Sequence, residues 1–175
     1  MMNYRDAIKQ AMDSLAQDER RVFLGYNVLY GSRAYGTLTG VAKAQCIETP
    51  VAENLMAGLA IGMSLTGYRP VLFYERHDFV LNALDAIVNH LDKIEAMSQG
   101  QFKTPVIIRA TVGGRVPLHP GPQHTQDFTQ AFKSMLTFPV LDLKTPAEVV
   151  AAYQLAATLD SPIMLVERRD LYDCA

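Results

Sequence analysis

The sequence predicts a three-layer α/β domain built on a mostly parallel sheet of five or six strands. Short apolar runs alternate along the chain with longer segments whose apolar residues fall at helical spacing. Each run is continuous rather than alternating, which is typical of strands that are buried on both faces. Strands that alternate with helices pair in parallel through right-handed crossovers. With 175 residues, of which 49% are hydrophobic, the chain is expected to form a single domain over residues 1–175.

The first predicted helix covers residues 4–16, where apolar side chains recur on one face. The glycine-rich residues 25–40 are expected to form a long loop. Five apolar runs predict the strands, which are residues 22–25, 70–74, 105–108, 139–143 and 162–166. Four further segments predict helices, at residues 52–65, 79–97, 126–135 and 146–159.

The last of these helices has a clear start signal. Thr145 is a favourable N-cap residue, and Pro146 fits the first helical turn. Glu148 completes a capping box with Thr145, because its side chain can reach back to the N-cap amide. We therefore expect this helix to begin at residue 146.

The charge and hydropathy of the chain argue against several classes of protein. Sixteen basic and eighteen acidic residues leave a net charge of −2, so no global field favours nucleic acid or anionic lipid. No apolar run reaches the roughly 18 residues that a membrane span needs, and no secretory signal is visible. We expect a cytoplasmic protein that binds neither nucleic acid nor membrane. Cys46 and Cys174 lack a Cys-x-x-Cys spacing, which disfavours a disulfide framework or a zinc knuckle.

Glu53 is the first candidate for chemistry. It falls in the first turn of the second predicted helix, and ligands of open α/β sheets bind beyond the carboxyl ends of the strands. The alternative is that this carboxylate only stabilises the helix dipole. The helix that follows has almost no polar residues and contains Gly58 and Gly62. Such a helix is either packed at the centre of the domain or part of a subunit interface, and both can hold together.

Two other segments combine polar and aromatic residues where strands end. Residues 74–79 place Tyr, Glu, Arg, His, Asp and Phe in one run, for which the alternative is a solvated loop. Residues 113–124 form a loop of unusual length for a compact domain, and long loops of this kind are commonly functional. No zinc-motif spacing occurs among the four histidines, so we expect no metal ligated by this chain; they are His77, His90, His119 and His124.

Six short motifs then occur in an order that points to a family. They are TPVAEN (49–54), AIGM leading to GYRPV (60–71), DF (78–79), ALDAIVNH (83–90), MSQGQ (97–101) and GPQHTQ (121–126). Together they resemble the pyrimidine-binding domain of the beta subunit of thiamine-diphosphate-dependent 2-oxo acid dehydrogenase decarboxylases, a transketolase-like pyrimidine-binding domain. The resemblance covers residues 4–172, and six motifs in order are far more specific than any one alone.

The resemblance implies thiamine diphosphate as the cofactor, held between this domain and a pyrophosphate-binding domain. By its place in the TPxxE motif, Glu53 corresponds to the acid that shares a proton with N1′ of the aminopyrimidine ring and so activates the thiazolium carbon. Phe79 corresponds to the aromatic residue that packs against this ring, and His77 lies close by in the predicted pocket. His124 corresponds to a histidine near the mouth of the active site that positions substrate. We therefore expect Glu53 and His124 to be catalytic, and Glu53, Phe79 and His77 to contact the cofactor.

The resemblance also implies a partner chain. The Gly-Asp-Gly and Asn elements that hold Mg²⁺ and the diphosphate are absent from the sequence, as is the C-terminal domain of family beta subunits. We expect a pyrophosphate-binding alpha-type subunit to supply the Mg²⁺ site, with self-association in an α₂β₂ assembly. The substrate is expected to be a 2-oxo acid or a related ketol, and the chain alone is expected to be inactive. The ionisable residues 75–77 depart from the family pattern and leave the substrate open.

Two other functions stay open on sequence grounds. A non-catalytic assembly or regulatory module would keep the fold and use the helix around Gly58 only to bind other chains. A flavodoxin-like binding domain would be a monomer with its own ligand pocket, which the apolar helix disfavours.

Overall fold

Six parallel strands form one sheet in the computed structural model, which describes residues 2–115 and 119–173. The strands are β1 (Arg21–Gly25), β2 (Cys46–Glu48), β3 (Arg69–Tyr74), β4 (Ile107–Val112), β5 (Val140–Asp142) and β6 (Ile163–Arg168). Their order across the sheet is β2-β1-β3-β4-β6-β5, and every neighbouring pair is parallel. The predicted fold class is confirmed. Cys174 lies outside the described residues.

Helices cover both faces of the sheet. They are α1 (Tyr4–Leu15), α2 (Glu53–Leu65), α3 (His77–Val80), α4 (Ile94–Met97), α5 (Thr129–Met135) and α6 (Pro146–Thr158). One apolar core joins α1 and α6 to the sheet, and the other joins α2, α3 and α5 to the opposite face. The capping box of Thr145 and Glu148 is confirmed at the start of α6. No helix in the described part of the chain is long and apolar enough to cross a membrane.

The continuous apolar runs are explained by β3. Leu72 and Tyr74 point into the core on the α2 side, whereas Val71 and Phe73 point into the core on the α1 side. Alternate residues of a strand face opposite sides of the sheet. Because both sides are covered, both sets of side chains are apolar, and the strand shows no alternation of polar and apolar residues.

One strand was missed, and two predicted elements were wrong in their extent. The three-residue edge strand β2 was missed, because Cys-Ile-Glu carries too little apolar sequence to be recognised as a run. Residues 79–97 form no single helix: they contain the end of α3, a 3₁₀ turn, a π-helical segment (Asp85–Leu91) and α4. The strand predicted at residues 105–108 instead begins at Ile107 and continues to Val112, since the buried Arg109 interrupts its apolar pattern.

Arg109 belongs to a buried ionic network that the apolar pattern could not reveal. Its Nε and Nη2 atoms donate to the two carboxylate oxygens of Glu167 at 2.9 and 3.0 Å, and both side chains are fully buried. The hydroxyl groups of Tyr153 and Tyr172 donate to the same carboxylate. Further hydrogen bonds help to offset the cost of burying such a pair: Arg109 Nη2 also donates to Thr37 Oγ1 at 3.1 Å, whereas Nη1 has no partner among the described residues. The network therefore ties β4, β6, α6 and the last described turn into one unit.

One face of α2 remains open in the single chain. Met56, Ala57 and Ala60 face the core, whereas Leu55 and Leu59 are exposed on the other side. Beside them, Gly58 and Gly62 have nothing within 4 Å of the position that a Cβ atom would occupy. The helix is thus half buried rather than central, and its outer face is apolar and flat. The predicted subunit interface stays a prediction.

Candidate active site at the carboxyl edge of the sheet

The topology itself marks a ligand crevice between β1 and β3. The connection that leaves β1 packs into the core on the α1 side, whereas the connection that leaves β3 packs into the core on the α2 side. Where neighbouring connections diverge in this way, a crevice opens at the carboxyl ends of the strands. Asn27 and Glu75 follow the two strands, and Asn27 Nδ2 donates to Glu75 Oε1 at 2.9 Å. This hydrogen bond joins the segments that follow β1 and β3 at the point where the topology predicts the crevice.

Glu53 begins α2 next to this crevice, as predicted. It is 7% exposed, and its neighbours along the helix are apolar. The hydroxyl of the buried Tyr74, the last residue of β3, donates to the Glu53 carbonyl oxygen at 3.0 Å and fixes the backbone there. Asn82 Nδ2 donates to Oε2 at 3.4 Å, which is long for such a bond. The carboxyl group is therefore held in place by its backbone, with capacity left for a stronger partner.

Tyr26 is a site residue that the sequence interpretation missed. It follows β1 directly, is 7% exposed, and its hydroxyl has no hydrogen-bond partner among the described residues. Burial raises the pKa of this phenol above its ordinary value, and the nearby carboxylates of Glu75 and Glu53 raise it further. The group is thus a neutral hydroxyl that can donate a hydrogen bond. The signal that could have revealed it is its position immediately after a strand at the divergence of two connections.

Glu48, also missed, organises the loop after β1. Its carboxylate accepts hydrogen bonds of 2.5 to 3.3 Å from four successive amides, those of Asn27, Val28, Leu29 and Tyr30. Successive backbone N–H groups of this kind form an anion-binding concavity. The end of β2 therefore fixes the loop that carries Asn27, and with it the position of the Asn27–Glu75 hydrogen bond.

Phe79 and His124 come together from two different parts of the chain. Phe79 lies in α3 and is partly buried, and His124 ends the short 3₁₀ helix Pro122–His124. Their ring centroids are 5.2 Å apart, with the planes inclined by 83°. The Nδ1 atom of His124 is buried without a partner among the described residues. The structure thus pairs the two residues that the resemblance assigned to the cofactor and the substrate.

His77 lies deeper than predicted. Its side chain has no exposed surface, its Nδ1 accepts a hydrogen bond of 3.1 Å from the amide of Phe128, and its ring packs edge-on against Phe132. Burial lowers the pKa of His77 to about 4, although the Asp127 carboxylate opposes this shift. The imidazole is therefore neutral near pH 7. A ring with no exposed surface offers a ligand no contact in this conformation, and we assign His77 a supporting role below.

No group of three or more His, Cys, Asp or Glu side chains within residues 2–115 and 119–173 is arranged to hold a metal ion. The side chains at the crevice instead fit an aromatic nitrogen heterocycle. Glu53 offers a carboxyl group on a buried side chain, Tyr26 a buried hydroxyl, and Phe79 an aromatic surface. These are the partners that an aminopyrimidine ring requires.

Residues 1–174 match the family model described as transketolase, pyrimidine binding domain. The chain belongs to this family. Among curated proteins, it is 30% identical to the mitochondrial pyruvate dehydrogenase E1 component subunit beta of Caenorhabditis elegans, over 98% of this chain and 49% of that protein. It is 27% identical to the 2-oxoisovalerate dehydrogenase subunit beta of Bacillus subtilis, over 98% of this chain and 54% of that protein. The resemblance stated from the six motifs is confirmed.

A solved structure described as a split gene transketolase, inactive beta4 tetramer, has the same fold. It superimposes with a TM-score of 0.76 at 21% sequence identity, over 97% of this chain and 52% of that one. The chain spans about half the length of the curated relatives it matches. The chain is thus a pyrimidine-binding domain of the kind found in thiamine-diphosphate enzymes, and it is distantly related to E1 beta subunits.

Proposed function

We propose that this chain is the pyrimidine-binding subunit of a split thiamine-diphosphate-dependent enzyme that acts on a 2-oxo acid or a related ketol. The observation that carries the proposal is the buried side chain of Glu53, held at the start of α2 at the carboxyl edge of the sheet, where the one side-chain hydrogen bond to its carboxyl group in the described structure is a long one from Asn82. A largely buried acidic side chain with so few internal hydrogen bonds is available to a ligand.

Glu53 would hold a proton between its carboxyl group and a ring nitrogen of the bound aminopyrimidine. The apolar side chains of α2 exclude water from one side of that contact, which strengthens it. Phe79 would pack against the ring and Tyr26 would donate to a polar group at its edge. Thiamine diphosphate, when bound, supplies the electron sink for cleaving a bond next to a carbonyl group. His124, on the far side of Phe79, would hold or deliver a proton at the substrate.

The proposed activity needs a site for Mg²⁺ and the diphosphate, whose sequence elements do not occur in these 175 residues. We assign that site to a pyrophosphate-binding alpha-type subunit, because the chain is similar to E1 component beta subunits. The outer face of α2, formed by Leu55, Gly58, Leu59 and Gly62, is the surface we assign to subunit contacts in an α₂β₂ assembly. An apolar surface of this kind marks an interaction site. Action in the cytoplasm stays a prediction from the sequence.

The second candidate is a non-catalytic assembly or regulatory module. The open face of α2 is the observation that favours it, because this face requires a partner whether or not catalysis occurs. The presence of Glu53, Phe79 and His124 at one edge of the sheet supports the catalytic function instead.

Calorimetric titration distinguishes the two candidates. Thiamine diphosphate with Mg²⁺ is titrated into the chain alone, into a candidate pyrophosphate-binding chain alone, and into their mixture. We expect binding with high affinity only in the mixture, followed by turnover in a panel of 2-oxo acids and ketols. Glu53→Gln is expected to abolish turnover while leaving assembly intact, because it keeps the shape of the side chain but cannot hold the proton as a carboxyl group does.

The matched control is Glu95→Gln, which removes a carboxylate from a half-exposed surface ion pair with Lys103. We expect this variant to turn over substrate at the unaltered rate. A Glu53→Gln complex as active as this control would refute the role of Glu53. Absence of binding in every mixture that forms a stable complex would favour the assembly module.

A further inference from the structure

The first residues of α3 contact the segment that carries His124. The ring of Phe79 packs edge to face with His124 itself. One residue earlier, Asp78 Oδ1 accepts hydrogen bonds from Gln126, at 3.3 Å from its amide and at 2.9 Å from its side-chain Nε2. Asp78 is 9% exposed and Gln126 is exposed, so these bonds are made at the boundary between the core and the surface. Charge-assisted bonds to an ionised acceptor are the stronger kind in proteins.

The same register continues at His77. Its Nδ1 accepts from the amide of Phe128 at 3.1 Å, and its ring lies 4.9 Å from the ring of Phe132. Residues 79, 78 and 77 therefore contact residues 124, 126 and 128 in turn. We call residues 77–79 the α3 clamp. Three consecutive contacts in one register fix both the position and the direction of the segment, which a single contact could not do.

His124 needs such external support. Its Nδ1 is buried without a partner among the described residues, so no hydrogen bond at that atom fixes the orientation or tautomer of the ring. The 3₁₀ helix that contains it has only three residues, with one backbone bond of 3.2 Å from the His124 amide to Gly121 O. The direction of the imidazole therefore depends on Phe79 beside it and on the anchored residues that follow it.

We propose that Asp78 and His77 are positioning residues, which act through Gln126 and Phe128 to aim the imidazole of His124 at the active site. Neither residue touches substrate or cofactor. The inference rests on the proposed function for the role of His124, whereas the clamp itself is a property of this chain. It also assigns a role to two buried polar side chains, of which His77 was expected from the sequence to contact the cofactor.

Nuclear magnetic resonance of the full chain, with ¹³C at the histidine ring carbons, tests the clamp without any activity. His124→Gln and His90→Gln identify the two signals by their loss. We expect Asp78→Ala to shift and broaden the His124 signal, and Asp78→Asn to restore it, because the amide oxygen can still accept from Gln126. The matched control is Asp85→Ala, which removes an exposed carboxylate 3.7 Å from His90 and is expected to shift only the His90 signal.

Gln126→Ala takes the place of Asp78→Ala if that variant does not fold by circular dichroism. It removes the 2.9 Å bond from the exposed side of the contact and is expected to shift the His124 signal in the same direction. An unchanged His124 signal in either folded variant overturns the proposal.

Steady-state kinetics of the complex with its partner provide a second test of the proposal. A ring misplaced by about 1 Å costs on the order of 10²-fold in rate, so kcat of the Asp78→Ala complex is expected to fall by that factor. The Kd for thiamine diphosphate is expected to change much less than kcat, and Asp78→Asn is expected to recover kcat. An unaltered kcat overturns the positioning role. If no complex binds thiamine diphosphate, the proposed function fails, and the resonance experiment still decides whether the clamp exists.

Discussion

The rings of Phe79 and His124 meet edge to face, with their centroids 5.2 Å apart. An aromatic pair in this geometry contributes about 0.5–1.5 kcal/mol beyond the area that it buries. The residue assigned to the cofactor ring and the residue assigned to the substrate are therefore coupled. A change at one is expected to be felt at the other, although they are far apart in the sequence.

Phe79→Leu is expected to weaken this coupling without unfolding the chain, because Phe79 is only partly buried. In the complex we expect the Kd for thiamine diphosphate to rise by roughly 2- to 13-fold, the range that corresponds to the loss of one aromatic contact. Calorimetric titration measures it. Phe102→Leu, at a residue that is 54% exposed, is the matched control and is expected to leave the Kd unaltered. Equal affinity in the two variants would contradict a cofactor contact by Phe79.

The buried network predicts a large loss of stability for Glu167→Gln. The substitution removes the charge that balances Arg109 in an interior without solvent, and breaking a buried pair in this way costs about 3–5 kcal/mol. Urea unfolding measures the change in the free energy of unfolding. The control is Asp160→Asn, which weakens a surface pair with Arg69 whose acid is 70% exposed, and is expected to change the free energy of unfolding far less. Similar losses in both variants would show that the network contributes little.

The buried His77 predicts a loss of stability in acid. Its pKa falls from 6.5 in the unfolded chain to about 4 in the fold, so the unfolded state takes up the proton first. Above pH 6.5 His77 is neutral in both states and does not change the free energy of unfolding. As the pH falls from 6.5 towards 4, protonation of the unfolded state lowers that free energy by up to about 3 kcal/mol.

Urea unfolding across this pH range tests the prediction. His77→Asn keeps an acceptor for the Phe128 amide but does not titrate, so its stability is expected to fall less steeply than that of the natural chain. His90→Asn, at an exposed histidine, is expected to follow the natural chain. A parallel decline in the His77→Asn variant would assign the acid sensitivity to other groups.

Gly58→Leu is expected to separate folding from assembly. Nothing lies within 4 Å of the position of the added Cβ, and leucine is favoured over glycine in a helix by up to about 1 kcal/mol, so the single chain should be at least as stable. The new side chain would prevent close approach of a partner at the outer face of α2. Sedimentation velocity is expected to show loss of the complex. Gln154→Leu on the exposed face of α6 adds the same side chain elsewhere and is expected to leave assembly intact.

The sequence was sufficient to predict those features of the fold and of the candidate site that depend on local pattern. Continuous apolar runs predicted five of the strands in the described structure, and the TPxxE and PQHTQ motifs located Glu53 and His124. It was insufficient where a residue's environment comes from distant parts of the chain. Arg109 can lie in a buried strand because the carboxylate of Glu167 balances its charge. Asp78 can be buried in part because Gln126 donates a hydrogen bond to it. Periodicity carries no information about such partners.

The long predicted helix at residues 79–97 shows the same limit. Its apolar residues do recur at helical spacing, but the backbone passes through a 3₁₀ turn and a π-helical segment. Intrinsic propensity does not specify a change of helical pitch, which is set by how side chains such as Ala83 and Ile87 meet α2 and the sheet. The segment was predicted correctly to be helical, whereas its hydrogen-bonding pattern depends on tertiary packing.

The hydrogen bond from the Tyr172 hydroxyl to Glu167 determines where this polypeptide can be truncated or fused to another protein. The last strand ends at Arg168, and a protein engineer would naturally place a boundary there. That cut would remove one of the donors to Glu167 and open the interior around it to water. A fusion joint or truncation point should therefore be placed beyond Tyr172, with this tyrosine counted as part of the folded unit rather than of a linker.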